Sequence, residues 1–135
     1  MLGERWTLLI LRDALEGMTR FGSFQESLGI APDVLTDRLN TLVEYEVMRR
    51  EAYQEPGRRT RYEYELTEAG KQLHVIIGGL QQWGDANLPW PEGPTALRQT
   101  RGTSKPLHVG FVDEDGREVP LDEVDTVHFN DYPNR

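Results

Sequence analysis

The side chains best suited to bind another molecule in this sequence are arginines, of which five lie between positions 49 and 61 beside only two glutamates. Three of them, Arg58, Arg59 and Arg61, fall within four consecutive residues. Guanidinium groups bind phosphate oxygens through paired hydrogen bonds, so this cluster predicts contacts with phosphates. The alternative is a charged, exposed hairpin tip that prevents aggregation through a strand edge.

A second group of polar side chains is spaced for one face of a helix. Thr36 and Asn40 lie four residues apart, with Asp37 and Thr41 beside them. Asparagine can pair with an adenine edge in the major groove, and threonine can contact a thymine methyl group. This face therefore predicts contacts with bases, whereas the alternative is a solvated helix face. Asp37 and the nearby Asp33 would repel phosphates, so they must point at bases or away from a duplex.

Two helices joined by a tight turn must position these side chains. Ser23 and Glu26 match a capping box, which starts a short helix that we place at 21–28. Gly29 suits the left-handed residue that ends this helix. Pro32 suits the first turn of a second helix, where the missing N–H group has no cost. Helix, turn and helix at this spacing predict a helix-turn-helix.

An antiparallel strand pair follows the second helix, which is predicted over 32–46. The strands are expected at 47–54 and 61–66, and Pro56-Gly57 marks the turn between them. Tyrosines and a leucine alternate with charged residues in the second strand, so one side of the pair should face a core. A helix-turn-helix followed by such a hairpin is a winged helix, a unit that holds a helix and a basic wing against DNA.

Two further helices flank this unit. One is predicted over 4–16, and the other is capped by Thr67 and runs to about Asn87. The long helix carries an apolar seam of five residues: Leu73, Ile76, Ile77, Leu80 and Trp83. A small domain cannot fully cover so long a seam, so we expect a homodimer, and ordinary core packing is the alternative. Gly78 and Gly79 would let a partner helix approach closely.

Composition changes at Leu88, where LPWPEGP brings three prolines and the helix must end. We therefore predict a domain over 1–87 and a C-terminal extension over 88–135. The extension should contain short elements: a loop at 95–105, hairpin strands at 107–112 and 117–119, and a third strand at 124–129. The predicted fold class is α+β and mainly helical, a winged helix-turn-helix with a long C-terminal dimerisation helix and a small β-rich tail.

Composition also excludes several classes of function. The 135 residues include no cysteine, so disulfides and thiol chemistry are excluded. No apolar run reaches the ~18 residues of a membrane-spanning helix, and no signal peptide is recognisable, so we expect a cytoplasmic protein. The three histidines lack the spacing of metal ligands, and no serine–histidine or paired-carboxylate arrangement indicates catalysis. We therefore predict neither an enzyme nor a bound metal or cofactor.

Three segments resemble the HxlR-type family of bacterial winged helix-turn-helix regulators. They read GERWTLLILRDAL, RFGSFQESLGIAPDVLTDRLNTLVEYEVMRR and RYEYELTEAGKQL. Several uncommon pieces fall at matching separations: Trp6, Arg20-Phe21, Ile30-Ala31-Pro32, Arg38-Leu39 and Leu66-Thr67-x-x-Gly70. Members of the family usually carry residues before the opening glycine, often with a cysteine that some use for redox sensing, whereas this chain starts almost at that glycine.

The resemblance implies a homodimer that binds a double-stranded DNA operator and regulates transcription. The helix opened by Pro32 would enter the major groove, and the arginines of the wing would hold phosphates. Arg38, beside the core stripe of that helix, could bind phosphate or brace the helix through a carboxylate. Whether a small-molecule effector is bound stays open.

A second function fits the same fold. The net charge of −8 and the two aspartates on the second helix favour a protein-interaction module on a winged-helix frame that does not bind DNA. Charge is unevenly distributed, however, since the arginines concentrate near the wing. Salt screens charges beyond about 8 Å, so a basic face can act while acidic faces point elsewhere.

Overall fold

The computed structural model of the protein describes residues 4–129. Its elements, numbered here in chain order, are α1 Arg5–Leu15, α2 Phe21–Leu28, α3 Pro32–Glu44, β1 Met48–Tyr53, β2 Arg61–Leu66, α4 Glu68–Gln72, α5 His74–Asn87, β3 Phe111–Val112 and β4 Glu118–Val119, followed by a 3₁₀ turn at Leu121–Glu123. The arrangement is α+β and mainly helical, as the sequence predicts.

One apolar core joins the first three helices to the strand pair. It contains residues from each of these elements: Ile10, Leu11, Phe24, Leu35, Leu39, Leu42, Met48 and Tyr64. The three leucines of α3 recur every three or four residues, so they form one buried stripe and leave the opposite face of the helix in solvent. Burial of each leucine side chain stabilises the fold by about 1.5–3 kcal/mol, so this stripe fixes how α3 is rotated.

Helix α2 has the predicted bounds, and the turn between α2 and α3 follows the predicted chemistry, but the predicted cap of α2 does not form. Gly29 has φ +62° and Pro32 lies in the first turn of α3, as expected. The capping box is wrong, because α2 begins at Phe21 and Ser23 already lies in its first turn. The entry to α2 is set instead by a backbone bridge between Arg20 and Glu63 of β2. Because this contact with β2 fixes the direction in which the chain enters α2, the helix begins without a side-chain cap.

The wing is an antiparallel hairpin, as predicted, and the structure gives its register. Met48 pairs with Leu66 at one end and Tyr53 with Arg61 at the other. The hairpin is joined closely to α3, since Val47 donates its N–H to the carbonyl of Leu42 at 2.9 Å. Glu46 completes this link with φ +60°, a conformation that residues other than glycine seldom adopt. This short connection therefore fixes the position of the wing relative to α3.

A corner after the wing is built around Thr67 and Gly70. The Thr67 hydroxyl accepts the N–H of Gly70 at 3.1 Å, which confirms the predicted cap, and donates to the carbonyl of Glu46 at 2.6 Å. A Cβ atom on Gly70 would lie 2.1 Å from the carbonyl oxygen of Val47. The corner thus ties α4 directly to the connection between α3 and β1.

The long helix predicted from Thr67 to Asn87 is interrupted at Leu73. Helix α4 ends at Gln72 and α5 begins at His74. The reason is a tighter turn, in which Leu73 donates its N–H to the carbonyl of Gly70 three residues earlier. Within residues 4–129, no helix is long and apolar enough to cross a membrane.

The C-terminal extension contains the predicted hairpin in shortened form. Strands β3 and β4 pair around a turn in which the Asp113 carboxylate accepts two backbone N–H groups. The first strand starts at Phe111 because the backbone of Val109 is bonded to the side chain of Gln82 instead. The predicted third strand at 124–129 is wrong, since the 3₁₀ turn opened by Pro120 follows β4 directly and residues 124–129 form no ladder with β3 or β4.

The extension packs against α5 and explains its two glycines. A Cβ atom on Gly78 would lie 3.3 Å from Nε of Arg98 and 3.4 Å from the Val109 side chain. A Cβ atom on Gly79 would lie 3.6 Å from Val109. The close approach that the glycines permit is therefore made by the same chain, which corrects the expected role in admitting a partner helix.

Candidate nucleic-acid interface

The exposed face of α3 presents one amide that makes no hydrogen bond with the residues that the structure describes. Asn40 is exposed, and its side chain has no hydrogen-bond partner among residues 4–129. The hydroxyls of Thr36 and Thr41 are instead bonded to helix carbonyls four residues earlier, at 2.9 and 3.0 Å. Asn40 can therefore offer both a donor and an acceptor to another molecule, whereas the two threonines have committed their hydroxyl hydrogens.

Arg38 braces α3 against the start of the chain. Its guanidinium forms ion pairs with the adjacent Asp37 and, at 3.0 Å, with Glu4 just before α1. The Nε atom of Arg38 is buried and has no hydrogen-bond partner among the described atoms. Of the two roles that the sequence leaves open for Arg38, this geometry supports the brace. It also offsets part of the negative charge of Asp37 on the exposed face.

The tip of the wing carries three exposed arginines without an acidic partner. Arg58, Arg59 and Arg61 are exposed, and none forms an ion pair with any residue in the described part of the chain. The turn that displays them is shaped by Gly57, with φ +76°, and by a hydrogen bond from the Gln54 amide to the carbonyl of Arg58 at 2.8 Å. The turn thus has a defined backbone, and its guanidinium groups form no ion pair with residues 4–129.

The other arginines near the wing are engaged with neighbours. Arg49 pairs with Glu65 at 2.9 Å, and this hydrogen bond raises the pKa of Arg49. Arg20 lies over the ring of Tyr53 and pairs with Glu55 at 3.0 Å, and the tyrosine is the main cause of the raised pKa of Arg20. Both therefore serve to hold the hairpin together.

Sequence reasoning missed a buried carboxylate that fixes the first two helices. Asp13 is only 4% exposed, accepts a hydrogen bond from the Ser27 hydroxyl at 2.8 Å and pairs with Arg12. The position of Asp13 on α1 could have indicated its burial, because it lies three residues after Ile10 and next to Ala14, both of which are buried. Asp13 thus positions α2, and through it the turn that leads to α3.

The apolar seam on the last helix divides between two environments. Leu73 and Ile77 pack into the core of the same chain. Ile76, Leu80 and Trp83 are 48%, 54% and 59% exposed. These three recur at four and three residues, so they form one continuous apolar face, called here the exposed face of α5. Only this part of the predicted seam is free to meet a second chain.

Comparison with protein families supports the arrangement described above. A model of the HxlR-like helix-turn-helix family matches residues 1–91. The HTH-type transcriptional regulator Rv3095 of Mycobacterium tuberculosis is 50% identical over 94 residues, which are 70% of this chain and 58% of the relative. YodB, an HTH-type transcriptional regulator of Bacillus subtilis, is 31% identical over 86 residues, or 63% of this chain and 75% of its own length. The chain thus spans little more than half the length of the mycobacterial relative.

Solved structures extend the similarity into the C-terminal extension. PA1607, described as a candidate transcription factor, is 32% identical with a TM-score of 0.79, covering 95% of this chain and 89% of its own. PA1374 from Pseudomonas aeruginosa, described in the same way, is 34% identical with a TM-score of 0.70, and the match covers 97% of this chain and 88% of PA1374. Reduced YodB from B. subtilis has a TM-score of 0.56 and covers only 64% of this chain. The winged helix is thus common to all three, and the chain belongs to the HxlR-like helix-turn-helix family, whose named relatives are transcriptional regulators.

Proposed function

We propose that the protein is a sequence-specific DNA-binding transcriptional regulator that acts as a homodimer on an operator in bacterial double-stranded DNA. The observation that carries this proposal is the wing tip, where Arg58, Arg59 and Arg61 form no ion pair with residues 4–129, although the chain has a net charge of −8. Between Arg20 and Leu66, the arginines outside the wing tip have partners: Arg20, Arg38 and Arg49 are each paired with a carboxylate, and Arg50 lies over the ring of Tyr62. Phosphates would supply the negative charge that the arginines of the wing tip lack among residues 4–129.

Helix α3 would supply the sequence specificity. Its exposed face offers Asn40 for an adenine edge, while Pro32, Thr36, Asp37 and Thr41 lie on or beside that face. Phosphate contacts set the position of a protein on DNA and base contacts set the preferred sequence. A two-fold dimer would place two α3 helices in successive major grooves, about 34–36 Å apart, and the operator would be a near-palindrome.

The second candidate is a protein-interaction module on the same frame, favoured by the acidic total charge. Asp33 and Asp37 are both exposed on α3, and Asp33 has no ion pair in the part of the chain that the structure describes. Gel-shift titration against random and selected duplexes at low salt separates the two functions. Saturable binding of duplex DNA supports the regulator, and no binding under these conditions supports the interaction module.

The wing arginines are expected to bind phosphates without reading sequence. Replacing both Arg58 and Arg59 with Ala should weaken binding about equally on operator and random DNA. Each lost phosphate contact should flatten the slope of log K against log salt by about 0.9, so the pair should flatten it by about 1.8. The slope is obtained from fluorescence-anisotropy titrations at several salt concentrations.

A matched control removes two arginines from the C-terminal extension. Arg101 and Arg117 are both exposed, so the double change to Ala alters the net charge by the same amount. It should leave the slope unchanged. Equal slopes for the two double variants would show that the wing arginines act only through the total charge.

Asn40 is expected to read bases. Asn40→Ala should cost about 1–3 kcal/mol on an operator isolated by selection from random duplexes, the usual value of a good base contact. It should change binding to random DNA little. Because Asn40 is exposed and unbonded, the free energy of unfolding should stay within about 0.5 kcal/mol.

The control for this change is Gln72→Ala, which removes an exposed amide from α4. It should leave both affinities unchanged. Equal losses of affinity for operator and random DNA in the Asn40→Ala protein would show that Asn40 contacts the DNA backbone. No loss of affinity for either DNA would show that Asn40 lies outside the interface.

A further inference from the structure

A cleft of about 860 Å³ lies between α5 and the C-terminal extension. Its volume falls in the range of about 300–1,000 Å³ that is usual for small-molecule sites. One wall is α5 from His74 to Ala86, and the other consists of segments around Leu97 and Leu107. The close packing of Arg98 and Val109 over Gly78 joins the two walls at the base of the cleft.

One cation in this cleft lacks a counter-charge. Arg98 is half-buried and donates from Nε to Nε2 of His74 at 2.8 Å and from Nη1 to Oε1 of Gln81 at 2.7 Å. Neither acceptor is a carboxylate, and no carboxylate of residues 4–129 forms an ion pair with Arg98. A guanidinium carries five N–H groups, so donors on Arg98 are left for a further acceptor.

The only acidic residue among those lining the cleft lies beyond this cation. Asp85 follows Gln81 by one helical turn, or about 6 Å along the axis, and His74 by about 16 Å. The end of the cleft near His74 is therefore positive, and the end near Asp85 is negative. An anionic group would bind at the Arg98 end.

The remaining lining is largely apolar and exposed. Val75, Leu97 and Leu107 are 61%, 68% and 57% exposed, and all three border the cleft. A molecule that covers them needs an apolar body, and one that pairs with Arg98 needs an anionic head. Together these two requirements define the chemical class of the occupant.

We propose that this cleft binds a small amphipathic organic anion, with a carboxylate or sulfonate on Arg98 and an apolar body against Val75, Leu97 and Leu107. The molecule would bridge α5 and the extension. The three residues of the exposed face of α5 project from another side of the same helix, so the occupied cleft and the proposed dimer can coexist. Regulation of DNA binding by this ligand would rest on the proposed function, whereas binding of the ligand itself does not.

The test uses two fluorescent probes and the full chain without DNA. The probes are 1-anilinonaphthalene-8-sulfonate, which is an anion, and N-phenyl-1-naphthylamine, which has the same aromatic body without the sulfonate. Arg98→Gln should weaken binding of the anionic probe about tenfold or more, the worth of a charge-assisted hydrogen bond, and leave the neutral probe nearly unchanged. The control Arg101→Gln removes a charge from the same extension and should change neither.

A second measurement protects the test against a folding defect in the variant. In ¹H–¹⁵N spectra of the unaltered protein, the anionic probe should shift the amide signals of Gly78 and Gly79 and leave that of Gly57 on the wing in place. Equal weakening by Arg98→Gln and Arg101→Gln, no weakening by either, or unshifted Gly78 and Gly79 signals would each overturn the proposal. Because no DNA is present, a protein that binds the probe as expected but fails to bind DNA refutes only the proposed function.

Discussion

Gly70→Ala is expected to lower the free energy of unfolding by about 3 kcal/mol, the upper end of the usual cost of overpacking. The added Cβ would lie 2.1 Å from the carbonyl oxygen of Val47 and 3.0 Å from a methyl carbon of Leu66. The carbonyl cannot easily retreat, because it also accepts the N–H of Thr67 at 3.0 Å. Chemical denaturation followed by circular dichroism measures the change.

Gly84→Ala is the matched control on α5. Nothing lies within 4 Å of a Cβ atom built on Gly84, so the added methyl group meets open space. This change should raise the free energy of unfolding by about 0.4–1 kcal/mol, through reduced freedom of the unfolded chain. A Gly70→Ala protein as stable as the Gly84→Ala protein would show that the corner between the wing and α4 has room for a side chain.

The second large effect is expected on assembly. Leu80→Asp places a charge at the centre of the exposed face of α5, between Ile76 and Trp83, and should convert the proposed dimer to a monomer. Loss of the second DNA-binding helix should then weaken operator binding by about 10²–10⁴, the usual range for losing bivalent attachment. Sedimentation at micromolar concentration gives the assembly state, and anisotropy titration gives the affinity.

Val75→Asp is a closely matched control for Leu80→Asp. Val75 is 61% exposed and Leu80 54% exposed, so neither change opens the core, but Val75 borders the cleft rather than the exposed face. The Val75→Asp protein should remain a dimer with unchanged operator affinity. An unaltered protein that sediments as a monomer, or a Leu80→Asp protein that stays dimeric, would contradict the assignment of this face to the dimer.

Local chemistry explains which parts of the fold the sequence predicts well. Gly29, Pro32 and the Pro56-Gly57 turn act through their own backbone preferences, so their roles follow from residue type alone. Strand β2 is found at the predicted positions because tyrosines and charges alternate along it. The fold class and the family follow from the same features, since they depend on the order and spacing of such signals.

Contacts between distant residues explain what the sequence did not predict. Helix α2 begins where predicted, but its entry depends on pairing of Arg20 with Glu63 rather than on a cap, and the shortened β3 depends on Gln82. Periodicity groups Ile77 with Leu80, yet one is buried in the chain and the other is exposed. Periodicity identifies an apolar surface, but it does not say which partner covers each part.

The same division applies to the candidate DNA-binding residues. Residue type alone suggests the arginines of the wing and the polar face of α3. It does not show that Arg38 is committed to Glu4, or that Asn40 is the side chain left without a bond. The roles in DNA binding remain predictions, and the geometry ranks Asn40, Arg58, Arg59 and Arg61 above Arg38, whose guanidinium is already paired.

In the proposed dimer, the interruption at Leu73 would determine the spacing between the two half-sites of the operator. Helix α4 is fixed to the wing by Thr67 and Gly70, whereas α5 carries the face assigned to the partner. The angle between α4 and α5 then sets the distance between the two α3 helices of a dimer. Helix α5 has 14 residues, so a change of about 10° at Leu73 moves its far end by about 4 Å, close to one base-pair step of about 3.4 Å. Relatives that share this winged helix could thus recognise differently spaced half-sites without any change in the residues that contact bases.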